Sequence, residues 1–264
     1  MNDYANIEKK IRSLEERLNR EGDVMLKIDY MNELAGELFV YDVDRAQTYA
    51  RESRKLAAKA GYQKGIAASF NKEALCCRIR SDFKKSIQLS REAYNIFDSL
   101  GDLSGQADSL NNIAFMEVNV EDYKSALQNS LRATVLAQEA GAEDLEAFGS
   151  LVTGMVYEDL GDYPKALEHH LRALSLCRIT GNQANEGAAM INLGIVFRKI
   201  GELHKAKEHF EDAYTLFQAL QIKLLEASAL YNLGTSYRDF GDYHKARECF
   251  SSSLRLQKEV GHAQ

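Results

Sequence analysis

The pattern of Gly161-Asp162-Tyr163 returns along the chain at a fixed step, and this recurrence specifies the architecture. A step of forty residues connects it to Tyr41-Asp42-Val43, Ser81-Asp82-Phe83, Glu121-Asp122-Tyr123, Gly201-Glu202-Leu203 and Gly241-Asp242-Tyr243. Self-similarity at a period of this size is typical of arrays in which each repeat buries its apolar face against its neighbours. We therefore expect a solenoid.

A second turn signal divides each period in two. It consists of Gly61, Gly101, Gly141, Gly181 and Gly261, with Gln221 in the remaining position. Glycine after a helical stretch is a typical helix stop. Two turns per period predict two helices per period, A and then B. The predicted helix pairs are 23-60, 63-100, 103-140, 143-180, 183-220 and 223-260.

One column of small residues runs through the predicted A helices. It contains Ala74, Ala114, Gly154, Gly194 and Gly234, whereas Leu34 departs from it. Glycine within a helix is destabilising, so its recurrence favours a packing reason. We expect this column to let the A and B helices approach each other closely.

Within one helix pair, Asn192-Leu193-Gly194, Phe197, Gly201, Ala206, Phe210 and Ala213 follow a known spacing. In this the sequence resembles the tetratricopeptide repeat family, in the forty-residue variety of Pins/LGN-type scaffolds, kinesin light chains and bacterial signalling proteins. HEAT and armadillo arrays have similar periods but lack this turn. The resemblance implies an all-α, right-handed superhelical solenoid of six helix-turn-helix units, in which the A helices line a concave groove.

The first residues lie outside the repeat. Tyr4, Ile7, Ile11, Leu14 and Leu18 form an apolar seam on an otherwise charged helix. We expect residues 1-22 to form a capping helix and residues 23-264 to form one array. A dimerising coiled coil is the alternative for this seam. The chain is thus expected to be a monomer, or a weak dimer through the N-terminal helix.

Composition and motifs argue against most other classes of function. The net charge is -6 with interspersed signs, which disfavours a nucleic-acid surface. The four cysteines lack metal-type or redox-type spacing, and neither a signal peptide nor a membrane-length run is present, so we expect a cytoplasmic protein without membrane contact. The adjacent acids Glu158 and Asp159 have no catalytic partner, and no phosphate loop or metal-binding histidine pair is found. We expect no enzymatic activity and no cofactor.

The groove surface remains as the place for function. We expect partner contacts from residues on the A helices opposite the core stripe, and we single out Asn71, Arg78, Asn112, Phe148, Met155, Glu158, Asn192, Arg198, Lys199, Tyr231, Asn232 and Arg238. An asparagine amide both donates to and accepts from an extended backbone. Alternatively, these asparagines bond to the adjacent helix, and Arg198 and Arg238 are solvated helix ends.

The function that follows is a protein-protein interaction module that binds an extended peptide or partner segment. The alternative is a sensory or regulatory segment of a bacterial signalling protein, in which a peptide or small effector changes the shape of the array.

Overall fold

The computed structural model describes the backbone of residues 3–262 and the side chains of residues 7–260. Within that range the chain forms thirteen α-helices and no strand, which confirms the predicted all-α class. In chain order, α1 to α13 are Asp3–Arg20, Val24–Leu38, Val43–Ala60, Gln63–Ile79, Phe83–Leu100, Leu103–Asn119, Tyr123–Glu139, Glu143–Asp159, Tyr163–Thr180, Gln183–Lys199, Leu203–Leu220, Lys223–Asp239 and Tyr243–His262.

The chain divides into two compact units, and the division falls within α8. The first unit extends to Leu145 and the second begins at Glu146. In the first, α2 packs against α3, α4 against α5 and α6 against α7, whereas in the second α10 packs against α11 and α12 against α13. Helices joined by such short turns pack antiparallel, so each pair is a helical hairpin.

The recurring Gly-Asp turn ends each A helix and starts the following B helix. Gly161 and Gly241 adopt the left-handed conformation, both with φ of 79°. The carboxylates of Asp162 and Asp242 then accept hydrogen bonds from the backbone N–H groups of Lys165 and Lys245, at 3.3 and 3.1 Å. Such N-caps satisfy a backbone donor that the helix leaves free. The turn motif is thus a left-handed residue followed by a helix cap.

The close helix approach predicted for the small column is confirmed. A Cβ atom added to Gly194 would lie 2.5 Å from the ring of Phe210, and one added to Gly154 would lie 2.4 Å from the ring of His170. Both rings belong to the B helix of the same pair and are fully buried. A side chain on the A helix would therefore collide with the ring.

At these positions, the sizes of the side chains on the two helices of a pair complement each other. The B-helix residue sixteen positions after the A-helix residue is larger where the A-helix residue is smaller. The pairs are Leu34 with Ala50, Ala74 with Ser90, Ala114 with Ser130, Gly154 with His170, Gly194 with Phe210 and Gly234 with Phe250. Leu34, which departs from the small column, therefore lies in the one pair whose B residue is alanine.

The N-terminal helix α1 packs against the first hairpin. Leu14 is buried in a cluster with Leu34, Leu38 and Val43, while Ile11 and Leu18 border the cluster. The side chain of Tyr4, which the sequence places in the same seam, lies outside the described residues. Within the described residues, the seam of α1 is therefore an intramolecular contact. The division into a capping helix and six repeats, and the monomer or weak dimer, remain predictions.

Candidate functional site

In the unit from Glu146 onward, α10 and α12 present two asparagines of one repeat column. The half-buried Asn192 has no hydrogen-bond partner among the described residues. Asn232 donates from Nδ2 to the carbonyl oxygen of Ser228, one turn back in its own helix, at 3.0 Å. Neither amide bonds across to a neighbouring helix in the described part of the chain. The alternative that these asparagines bond to the adjacent helix therefore does not describe Asn192 or Asn232.

Tyr231 adds an exposed aromatic side chain to α12. Its side chain is 55% exposed, and its ring packs against the ring of Phe250 with 5.5 Å between the ring centroids. A tyrosine that is held on one side and open on the other offers both an apolar face and a hydroxyl group. The remaining candidates on α8, Phe148 and Met155, are half-buried.

Charged side chains connect the C-terminal ends of α8, α10 and α12. Lys199 Nζ lies 3.0 Å from Glu158 Oε1, and Arg198 Nη1 lies 3.3 Å from Asp239 Oδ2. Arg238 also reaches Asp239, with Nη2 at 3.2 Å from Oδ1. Helix α10 therefore supplies the cation of two ion pairs, one with an acid on α8 and one with an acid on α12.

Glu158 is the most enclosed member of this charged group, with 11% of its side chain exposed. Burial raises the pKa of Glu158, while the hydrogen bond and charge of Lys199 oppose that rise. Burying a carboxylate is costly unless a cation pairs with it. The Lys199 ammonium group thus stabilises the ionised form of Glu158.

In the unit that ends at Leu145, the predicted asparagines are used internally. Asn71 is fully buried and donates to Asp108 Oδ2 at 2.9 Å and to Ser109 Oγ at 3.0 Å. Asn112 is also buried and donates to Asp108 Oδ1 at 3.5 Å. Asn71 therefore bonds to the adjacent helix α6, as the structural alternative describes. The groove role of Asn71 and Asn112 remains a prediction.

Arg78 is enclosed by aromatic rings. Its Cζ atom lies 5.4 Å from the ring centroid of Phe39 and 4.9 Å from that of Phe115. Burial lowers the pKa of Arg78 to about 10, and the nearby charge of Asp108 opposes this change. The guanidinium group therefore stacks between two rings of its own chain, an arrangement that favours a cation.

Two acidic residues organise these groups and were not among the predicted partner contacts. Asp108 lies four residues before Asn112, on the same face of α6, and accepts from two of the predicted asparagines. Asp239 directly follows Arg238 and contacts both predicted arginines. The sequence contained a signal for each residue. Asp108 lies one helical turn before Asn112, a spacing at which side chains interact. Asp239 is an acid at the C-terminal end of a helix, an unfavourable position that calls for a specific reason.

Among the described residues, no group of three or more His, Cys, Asp or Glu side chains is arranged to hold a metal ion. No helix in the described part of the chain combines the length and the apolar character needed to cross a membrane.

Comparison with known proteins identifies the repeat. One tetratricopeptide repeat model matches residues 153–219 and a second matches residues 227–260. Among proteins with curated descriptions, none matches this sequence.

Several solved structures have a similar fold. A Rap protein in complex with Competence and Sporulation Factor is 15% identical with a TM-score of 0.77, and the match covers 99% of this chain and 72% of that chain. NprR in complex with its cognate peptide NprX is 15% identical with a TM-score of 0.69, covering 97% and 75%. BtubC from P. vanneervenii is 21% identical with a TM-score of 0.63, covering 83% and 92%. At these identities the likeness concerns the fold.

Proposed function

We propose that this chain, which belongs to the tetratricopeptide repeat superfamily, is a non-enzymatic interaction module that binds an extended segment of a partner protein. The segment would lie across the A helices of the unit that begins at Glu146. The observation that carries the proposal is the amide of Asn192, which has no hydrogen-bond partner among the described residues, on a helix that packs against α12 with its exposed Tyr231. Asn192 and Tyr231 belong to neighbouring A helices.

The spacing of A helices suits an extended peptide. Packed neighbouring helices lie about 8 to 10 Å apart. Three residues of extended chain cover about the same length, at about 3.3 Å each. One asparagine on each helix would therefore meet every third residue of the peptide backbone. Asn192 can donate and accept at once, and Asn232 retains an acceptor oxygen and one N–H group without a partner among the described residues.

The similar folds give this proposal further support. The Rap protein was solved with Competence and Sporulation Factor, and NprR with its cognate peptide NprX. This fold is thus compatible with a bound peptide. In the present chain the contacts would come from Asn192, Tyr231 and Asn232, with Phe148 and Met155 as apolar neighbours on α8.

A display selection tests the proposal. The full chain is used to select from a library of random peptides of about twelve residues, long enough to cross three A helices. Enriched peptides are synthesised, and their affinity is measured for the unaltered chain and for a variant with Asn192→Ala, Tyr231→Ala and Asn232→Ala. We expect the variant to bind at least about tenfold more weakly, because it loses both the amides and the aromatic contact.

The matched control changes exposed side chains on B helices of the same unit, Thr215→Ala and Gln257→Ala. We expect this control to bind like the unaltered chain. Both variants must retain the helicity of the parent. Equal affinity of all three proteins for the enriched peptides, or the absence of any enriched peptide, would contradict the proposal.

The alternative, a sensory segment, is favoured by the peptide complexes of the two similar folds. It requires that the bound peptide alter the shape of the chain, because a ligand acts as a signal only through different affinities for two conformations. Small-angle scattering of the chain with and without an enriched peptide separates the two. A changed radius of gyration supports the sensor, and an unchanged radius supports a rigid module.

A further inference from the structure

Asp239 occupies a position between two arginines at the C-terminal end of α12. Its Oδ2 atom lies 3.3 Å from Nη1 of Arg198 on α10, and its Oδ1 atom lies 3.2 Å from Nη2 of Arg238. The side chain of Asp239 is 22% exposed, whereas that of Arg238 is 52% exposed. One carboxylate thus faces two guanidinium groups.

Arg198 uses little of its capacity for hydrogen bonding. A guanidinium group has five N–H donors in a planar fork that matches a carboxylate. Among the described residues, Arg198 forms one hydrogen bond, from Nη1 to Asp239. Its Nε atom is buried without a partner in the described part of the chain. The fork is therefore engaged at one nitrogen.

The neighbouring acid is already engaged. Glu158 pairs with Lys199 at 3.0 Å, and the charge of Arg198 acts on it less strongly than that of Lys199. The position of Asp239 is also unfavourable for its own helix. Asp239 is the last residue of α12, where the negative end of the helix dipole repels an anion. Asp239 contacts two arginines but does not stabilise its own helix. We therefore infer that its role lies in the charged site.

We propose that Asp239 is an internal competitor for an acidic residue of the bound peptide. An Asp or Glu side chain of the peptide replaces Asp239 on Nη1 of Arg198, also binds the N–H groups of Nη2, and leaves Asp239 with the exposed Arg238. This proposal rests on the proposed function and specifies that one residue of the bound peptide is acidic. Asp239 then sets specificity: the site accepts a peptide carboxylate and gains nothing from an uncharged residue.

Displacement predicts opposite effects for two substitutions. Asp239→Asn removes the competing charge and leaves both arginines available, so we expect tighter binding of an acidic peptide. Arg198→Gln removes the fork, so we expect weaker binding of the same peptide. A site in which Asp239 only holds the arginines in position would instead lose affinity with Asp239→Asn.

The experiment uses peptides enriched by display on the full chain. Each is synthesised in its acidic form and with its Asp or Glu replaced by Asn or Gln, and with a free or an amidated C-terminus to separate side-chain from terminal carboxylates. For the acidic form we expect Asp239→Asn to raise affinity about fivefold and Arg198→Gln to lower it about tenfold. For the uncharged form both variants should match the unaltered chain. Arg247→Gln, an exposed arginine on α13, is the control.

The outcomes separate the two proposals. Enriched peptides that depend on Asn192 and Tyr231, but whose affinity is unchanged by Arg198→Gln or is lowered by Asp239→Asn, overturn the competitor and leave the interaction module standing. Dependence on the terminal carboxylate alone also overturns it. If no peptide is enriched, both proposals fail.

Discussion

His170 is the residue whose chemistry the packing changes most directly. Its side chain is fully buried over Gly154, and both ring nitrogens lack a hydrogen-bond partner among the described residues. Burial, helped by the neighbouring His169, lowers the pKa of His170 to about 3. The equivalent positions hold Phe210 and Phe250. His170 therefore acts as an aromatic ring that must remain neutral.

This burial predicts that acid destabilises the fold. An unfolded histidine has a pKa of about 6.5, so between that pH and about 3 the unfolded chain binds a proton that the folded chain does not. The contribution of neutral His170 is fully present above pH 6.5 and is lost as the pH falls. The free energy of unfolding should decrease by about 2 kcal/mol between pH 7 and pH 5 through this residue.

Urea unfolding at pH 7 and pH 5 measures the effect. We expect His170→Phe to remove that part of the pH dependence, because phenylalanine fills the same space and cannot ionise. Gln257→Phe, at an exposed position without a titrating group, is the control and should leave the dependence unchanged. An equal slope in the parent and His170→Phe would show that His170 is not buried as a neutral ring.

At the scale of elements, each hairpin depends on the matched sizes of two residues, one on each helix. Gly194 on α10 and Phe210 on α11 fit because the ring occupies the space of the missing side chain. A methyl group there would force the ring away, and overpacking of this kind costs about 1 to 3 kcal/mol. The same methyl group would favour the helix itself by up to about 1 kcal/mol.

A double-mutant cycle tests this fit. We expect Gly194→Ala to lower the free energy of unfolding of the parent, because overpacking exceeds the gain in helix propensity. In a Phe210→Ser background the ring is absent, and Gly194→Ala should raise the free energy of unfolding by up to about 1 kcal/mol. Chemical denaturation of the four proteins gives both values. The same sign in both backgrounds would contradict the pairing.

The sequence predicted the helices well because their ends carry local signals. Gly161 and Asp162 specify a left-handed residue and a cap, and neither depends on distant parts of the chain. The complementary sizes of Leu34 and Ala50 were missed, because a column read along one helix contains no information about its partner. The fit appears only when both columns are read together.

The candidate site was less predictable than the helices. The burial of Asn71 depends on how far α4 is rotated against α6, and the pairing of Arg198 with Asp239 joins residues 41 positions apart through flexible side chains. Repeat spacing does not specify either quantity. Sequence therefore indicated the residue types of the site but not which of them are engaged within the chain.

At the scale of the whole molecule, the two units differ in how they use their A helices. Up to Leu145, Asn71 and Asn112 donate to Asp108, and Arg78 stacks between Phe39 and Phe115. From Glu146 onward, Asn192 has no partner within the described residues and Tyr231 is exposed. We therefore expect the second unit to supply most of the binding energy for a partner segment.

Hydrogen–deuterium exchange of the full chain, with and without a saturating enriched peptide, tests whether the peptide lies across the A helices of this unit. Backbone amides of α10 and α12 should exchange more slowly when the peptide is bound, because the peptide covers the A helices and reduces local opening. Amides of α11 and α13, on the B side of the same hairpins, should be unaffected. Slower exchange confined to α11 and α13, or no change at saturation, would contradict binding across the A helices.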